Sequence, residues 1–377
     1  MPNMSDLHLH IISFDVPWPA NYGGVIDVFY KAKALSDKGV KVHLHCFEYG
    51  RKPAETLSRT FYKIHYYKRD ISKKHLFRNI PYIVSTRISE SLVQTLLKDD
   101  YPILMEGIHT SALLDDPRFD KRKTAVRTHN IEHDYYQNLA KAETDIFKRY
   151  YFYNEAAKLK RYENHLKKAG ALIAISQNDY RYFQSRFKRV EYIPAFHPHT
   201  EVASEEGSGD YVLYHGNLSV SENYNAVRFL INKVFKGLDI PLKVAGLNPP
   251  RHLKQLIKTQ PHVELIENPA DEQLQHLIKK AHINISITAQ ATGLKLKLLN
   301  ILYNGRFCVV NDKMLSGSKL DDLTLVANDE ISMRKLIKKL FTRTFTIHDI
   351  NKRKTLLNII YNNGNNVNDL ITLIKTL

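Results

Sequence analysis

The chain is poor in cysteine and, for its charge, in acid. Only Cys46 and Cys308 occur among 377 residues, each inside an apolar run and far from the other. A zinc site needs about four clustered ligands and the sequence has no CxxC, so no cysteine-based metal site is expected. Two such thiols read as buried free cysteines of a reducing compartment. Long apolar runs are missing too, and nothing approaches the ~18 consecutive residues of a membrane span. The opening six residues are polar, and the apolar run 7–14 is broken by histidines, which does not fit a signal peptide. A cytoplasmic protein is expected, with peripheral contact at the inner membrane face left open. Aspartate and glutamate number 39 against 55 lysines and arginines, a formal charge of +16. That deficit favours anionic partners: nucleotide phosphates, nucleic acid or an anionic membrane.

Motifs that would decide the chemistry at once are also missing. There is no GxGxxG, P-loop, GxSxG elbow, HExxH or kinase set. No Asp-x-Asp occurs, the usual metal-bridging pair for a nucleotide diphosphate, which favours a metal-independent mode. Nothing resembles a helix-turn-helix, zinc finger or RNP motif, so nucleic-acid binding is a remote alternative and no nucleic-acid partner is expected.

What is present is alternation. Residues 7–14 and 40–47 read as buried strands, and between them Val25, Val28, Ala32 and Leu35 share one helical face that ends at Gly39. This βαβ unit implies parallel pairing and a right-handed crossover. Further strands are expected at 103–105, 125–128, 171–175 and 190–193, and a long helix over 145–168. The stretch Glu201–Asp210, with two glycines and no apolar periodicity, reads as a linker. Alternation then restarts, with strands at 211–215, 242–245, 263–266, 283–288 and 307–310. The tail is helical, with a turn expected at the asparagine-rich 362–366. The expected domains are 1–200 and 211–363, joined by 201–210, with a last helix over 364–377. The pattern implies an α/β chain of two doubly wound domains. In such sheets ligands bind outside the carboxyl ends of the strands, here expected to face a central cleft.

The loops after strands carry the candidates. Gly23-Gly24 precedes the first helix, where bare backbone N–H groups favour an anion. Glu106-Gly107-Ile108-His109 follows one strand and His129-Asn130-Ile131-Glu132-His133 the next, supplying carboxylates, an amide and titratable imidazoles. Gly216 follows the first strand of the second half, where a missing Cβ admits a ligand. Thr292-Gly293-Leu294-Lys295-Leu296-Lys297-Leu298-Leu299-Asn300 is the strongest segment. Its start reads as a helix N-terminus facing a phosphate, and Asn300 lies two turns on, placed for a ribose hydroxyl. Lys295 and Lys297 point about 200° apart on a regular helix, so both reach one diphosphate only through an irregular first turn. Between Arg51 and Lys98 eleven cations stand against Glu55, Asp70 and Glu90, interleaved with aromatics. This stretch reads either as a solvated basic face or as a dock on an anionic membrane.

The Gly23-Gly24 loop, the THNIE stretch 128–132 and TGLKLKLLN with Gly305-Arg306 together resemble the family 4 retaining glycosyltransferases of the GT-B fold, most nearly bacterial members described as mannosyltransferase-like. The resemblance covers both domains. It implies two Rossmann-like domains, an acceptor-binding N-terminal half and a C-terminal half holding a nucleotide-diphosphate sugar, and a tail that packs back across the domain boundary. It implies transfer of a hexose, with mannose the nearest likeness, to a glycan or lipid-linked acceptor, and no cofactor beyond the sugar nucleotide. On this reading His129, Glu106 and Lys295 are catalytic, with His129 touching the transferred sugar. Gly23, Gly24, Gly216, Thr292, Gly293, Lys297 and Asn300 bind the donor, and His109, Asn130 and Glu132 lie on the acceptor side; no metal ligand is assigned. The family's E-x7-E positions hold Thr292 and Asn300 here, which removes charge-assisted bonds to the ribose and keeps a non-catalytic sugar-nucleotide binder as the alternative.

Overall fold

A computed structural model describes residues 7–289, 291 and 296–377. The chain divides into two compact units, one built from residues up to Pro198 together with Tyr361–Leu377, the other from the residues between.

In the first unit seven strands form one parallel sheet: β1 (His8–Ser13), β2 (Lys41–Glu48), β3 (Lys63–Lys68), β4 (Ile103–Glu106), β5 (Thr124–Thr128), β6 (Ala171–Ala174) and β7 (Val190–Tyr192). Their order is β3-β2-β1-β4-β5-β6-β7, so the winding reverses between β1 and β4. Ile11 pairs with Leu44 on one side and Leu104 on the other. Neighbouring residues such as Ile11 and Ile12, or Leu104 and Met105, are buried on opposite faces of the sheet because helices cover both. One core layer holds Leu9, Ile11, Val42, Leu44 and Leu104 with Phe29, Ala32 and Leu35 of the first helix. Ile12, Met105, Val126 and Leu172 belong to the other. The last helix, Asn363–Lys375, places Val367, Leu370, Ile371 and Ile374 in the first of these layers.

The second unit holds β8 (Val212–Asn217), β9 (Leu242–Leu247), β10 (Val263–Glu267), β11 (Ile283–Ser286), β12 (Phe307–Val310) and β13 (Leu325–Val326). All pairs are parallel in the order β10-β9-β8-β11-β12-β13, with the reversal between β8 and β11.

Several local readings differ from the structure for visible reasons. The stretch Glu201–Asp210 is tied into the second unit: Gly207 and Phe345 exchange main-chain bonds, and Glu205 meets Lys279 and Lys280 at 3.0 and 2.8 Å. The helix expected over 145–168 is regular over Ile146–Tyr162 and tightens to a 3-10 turn over Glu163–Lys168. The asparagine-rich segment is a helix start, since the Asn362 side chain accepts from the Asn365 N–H. Both cysteines are buried and free, and burial pushes their thiols up.

Candidate functional site

The first helix, Gly23–Asp37, runs from the carboxyl end of β1 and turns one stripe toward the sheet. Positions 27, 31 and 35 fall on that stripe at spacings of four. Leu35 is an ordinary core residue, but Asp27 and Lys31 carry charge into the interior. There the Asp27 carboxylate accepts from Arg127 Nε at 2.6 Å and Nη2 at 2.8 Å, from Lys31 Nζ at 3.1 Å and from the Phe196 N–H at 2.8 Å. Lys31 Nζ also lies 2.6 and 2.8 Å from the two Glu106 oxygens. Glu106 in turn stands 3.0 Å from His129 Nε2. Asp27, Lys31, Glu106 and Arg127 are all sealed from solvent. Burial alone would push both carboxyls up; for Asp27 the Arg127 and Lys31 charges outweigh it, and for Glu106 the Lys31 charge and the His129 bond do, so both remain ionised. Two anions and two cations cancel, which is the condition for tolerating charge in a low-dielectric interior.

Asp27, Glu106 and His129 bring three ligand atoms within 4.8 Å of one another, which is metal-like spacing. The group does not fit a metal, because Lys31 and Arg127 already occupy the carboxylates and a divalent ion would meet their charges.

Phe14 links this network to the surface. Its ring lies edge-on to His129 at 5.5 Å between centroids and 5.2 Å from His109. It also explains one of the paired glycines: a Cβ on Gly24 would stand 2.6 Å from the Phe14 ring tip, whereas a Cβ on Gly23 would meet nothing. The helix begins at Gly23 with no side chain capping its first turn. Gly107 turns the chain after β4 at φ +69, and a Cβ there would strike the His109 ring at 2.6 Å. Burial and the nearby Arg87 charge hold the His109 imidazole well below its ordinary value. Asn130 points its amide at Glu132 from 3.4 Å. Burial pushes the Glu132 carboxyl up to about 7, with the Asp179 charge adding to it.

Beyond Phe14 and His109 opens a cavity of about 390 Å³ at the carboxyl ends of β1 to β4. Asp15, Tyr22, Tyr49 and Tyr82 line it, with Arg69 and Arg87 among them. Two of the eleven cations counted between Arg51 and Lys98 are therefore not on a free basic face. Others there are paired on the surface, Lys74 with Asp70 at 2.8 Å and Arg59 with Glu55.

In the second unit the sheet reversal lies between β8 and β11, and Gly216 stands at the carboxyl end of β8. Beside it the Asn223 side chain bonds the Tyr214 hydroxyl at 3.1 Å and the Asn217 carbonyl at 2.9 Å. Glu222 reaches across to β11, accepting from the Thr288 hydroxyl and from the Ala289 N–H. Lys297 Nζ stands 5.6 Å from the Tyr214 ring centroid. Burial and the Lys297 charge push the His215 imidazole down to about 3. Asn300, in the helix Leu296–Asn304, accepts at Oδ1 from the Asn304 amide at 2.8 Å. Thr292, Gly293 and Lys295 lie outside the described residues.

The structure thus brings Glu106 and His129 into one network and places His109 in the cavity wall, while Lys297 and Gly216 lie in the second unit. Sequence reasoning missed Asp27, Lys31 and Arg127. A signal existed: an i, i+4 acid–base pair in line with the buried Leu35. Arg69 and Arg87 carried no local signal, since only folding separates them from the neighbouring surface cations.

No protein-family model matches the chain. A Klebsiella pneumoniae protein described as an uncharacterized 44.6 kDa protein in the cps region is 27% identical over 349 residues, covering 87% of this chain and 89% of that one. Among solved structures, an E. coli trehalose-6-phosphate protein bound with UDP-2-fluoro glucose matches at a TM-score of 0.67 and 11% identity, over 98% of this chain and 99% of that one. Sucrose-phosphate synthase from Thermosynechococcus elongatus matches at 0.66 and 12%, over 98% and 97%. Anabaena HepE in complex with UDP and glucose matches at 0.66 and 12%, over 98% and 100%. The fold is GT-B. Two parallel sheets, of seven and six strands, carry it.

Proposed function

We propose that the protein is a retaining glycosyltransferase that moves a hexose from a nucleotide-diphosphate sugar to a glycan or lipid-linked acceptor in polysaccharide assembly. The observation that carries this reading is the likeness of fold along 98% of the chain to proteins crystallised with UDP and glucose or with UDP-2-fluoro glucose. The relative in a cps region supports the polysaccharide setting.

The donor is assigned to the second unit, at the carboxyl ends of β8 and β11. Negative charge grows on the departing diphosphate, and the groups that meet it are main-chain N–H donors and the lysines at 295 and 297. In the first unit Glu106, pinned as an anion by Lys31, accepts from His129 Nε2. This holds the ring with Nδ1 turned away from the carboxylate, which suits it to a bond with a sugar hydroxyl. The absence of Asp-x-Asp and the cationic filling of the Asp27–Glu106–His129 group support metal-independent action.

The test is turnover with UDP-, GDP- and ADP-hexoses, with and without EDTA, in wild-type protein and in Lys295→Ala and Lys297→Ala. Loss of one such donor typically costs ~100-fold or more in rate. That loss is expected in at least one lysine variant with folding retained, and EDTA is expected to change nothing. Unchanged turnover in both variants overturns the donor site. Nucleotide-diphosphate binding without turnover for any donor instead supports a non-catalytic binder, as Thr292 and Asn300 at the E-x7-E positions allow.

A further inference from the structure

The cavity of the first unit has an electrostatic imbalance that its neighbours do not resolve. Arg87 is buried, and among the described residues its guanidinium bonds only main-chain oxygens, Phe14 O from Nε at 2.8 Å and Ile83 O from Nη1 at 2.7 Å. Arg69 bonds the Thr86 hydroxyl at 2.9 Å and stands over the Tyr49 ring, its Cζ 4.2 Å from the centroid. Among the described residues neither guanidinium has a carboxylate within 4 Å. The one carboxylate in the cavity wall, Asp15, is already used: it accepts from the Tyr22 hydroxyl at 2.9 Å and the Val16 N–H at 2.8 Å, and Arg51 Nε stands 3.8 Å away. Burial, together with the charge of Arg69, pushes the Arg87 guanidinium down to about 9.

A buried cation without a carboxylate bonded to it is costly, and the fold keeps Arg87, with the half-buried Arg69 near it, in the wall of a space of about 390 Å³. Guanidinium is also the group whose flat fork suits carboxylate and phosphate oxygens. Around it stand Tyr22, Tyr49 and Tyr82, of which Tyr22 and Tyr49 are exposed. Phenol rings give an apolar platform with a polar tip, which suits the CH-rich face and hydroxyl rim of a sugar. His109 closes the inner end, one ring away from His129 through Phe14.

We infer that this cavity receives an acidic saccharide, a sugar bearing a carboxylate or phosphate group, with Arg69 and Arg87 holding the anion and the tyrosines holding the ring. This deepens the glycosyltransferase reading and rests on it for the role of acceptor.

Binding of glucuronate, glucose 6-phosphate and glucose to the full chain is measured by calorimetry without any donor, in wild-type protein, Arg69→Gln and Arg87→Met. At least one acid sugar is expected to bind saturably and at least tenfold more tightly than glucose. Charge-assisted hydrogen bonds are worth enough that Arg69→Gln should weaken it about 10-fold or more. The two acids separate the sources, since preference for glucuronate names a uronic acid and preference for glucose 6-phosphate names a phosphorylated sugar. Equal affinity for glucose and both acids, or acid binding untouched by Arg69→Gln, overturns the inference. Arg69 makes one side-chain hydrogen bond, so this variant keeps the test alive if Arg87→Met fails to fold. Turnover with a neutral acceptor, unaffected by either variant, would sink the acid pocket while leaving the transferase. Acid-sugar binding with no turnover for any donor would do the reverse.

Discussion

Lys31 and Arg127 are the residues on which the first unit's interior depends. Each touches Asp27, and Lys31 also holds Glu106. Removing one partner of a buried pair leaves its opposite charge stranded, which typically costs about 3–5 kcal/mol. Lys31→Met should therefore lower the unfolding free energy of the first unit, read from urea denaturation, by an amount of that order. The double variant Lys31→Met/Glu106→Gln should recover part of the loss, because one stranded anion is gone. A single variant within about 1 kcal/mol of wild type, the range of exposed pairs, would show that the network is not sealed in solution. At this scale the sequence was informative only where residue type and place in a motif coincided, as for Glu106 and His129. Arg127 lies in a strand recognised from its apolar neighbours, and no pattern marks it as facing Asp27, a hundred positions away.

Alternate positions of β1, β2 and β3 build a ladder of imidazoles. His8 Nδ1 meets His43 Nε2 at 2.8 Å, His10 Nδ1 meets His45 Nε2 at 2.8 Å, and His45 stacks on His65 with centroids 4.9 Å apart. Burial, reinforced by neighbouring rings, pushes His43 down to about 4 and His45 well below its ordinary value. His10 is lowered as well, its burial opposed in part by Asp99 at 2.9 Å. The unfolded chain takes up these protons near pH 6.5, and the folded chain does not until far lower. Stability is thus complete above that value and falls as the pH drops toward 4. Glu132 and Glu163, raised by burial, act oppositely, while His109, His197 and His215, lowered by burial elsewhere in the chain, act in the same sense as the ladder. The urea midpoint should be lower at pH 5 than at pH 7.5, and His45→Phe should flatten the slope. A flat profile in the wild type would contradict the buried, neutral ladder. The element that sequence reasoning missed belongs here: β3 reads Lys-Ile-His-Tyr-Tyr-Lys, an edge strand with charged ends and half-buried faces. Central strands announce themselves by continuous apolar residues because both their faces are covered; an edge strand has no such need. β13, at two residues, is too short to leave a pattern.

At the scale of the molecule, the βαβ alternation and the reset near residue 205 sufficed for two doubly wound sheets, because parallel pairing and right-handed crossovers leave few arrangements. They did not reveal the cavity, whose walls come from loops and helices scattered between Phe14 and Phe152. The first unit is also not a contiguous piece of chain. Leu370, fully buried, packs in the same layer as Leu9 and Leu44. Leu370→Ala should cost about 2–5 kcal/mol, as deletion of a fully buried leucine does. Hydrogen exchange should show that cost as weakened protection of β1 and β2 amides. Loss confined to the second unit's strands would contradict the assignment of the last helix.

That helix sets a timetable for synthesis. The seven-stranded sheet is translated early, yet part of its apolar covering is encoded after the whole six-stranded unit. At about 5–20 residues per second, a nascent chain waits roughly 10–30 s between finishing β7 and making the segment that shields it. During that interval the layer around Leu9 has the first helix against it but lacks the share of its covering that Val367, Leu370, Ile371 and Ile374 supply. A premature stop near codon 360 would therefore injure the beginning of the protein more than its end.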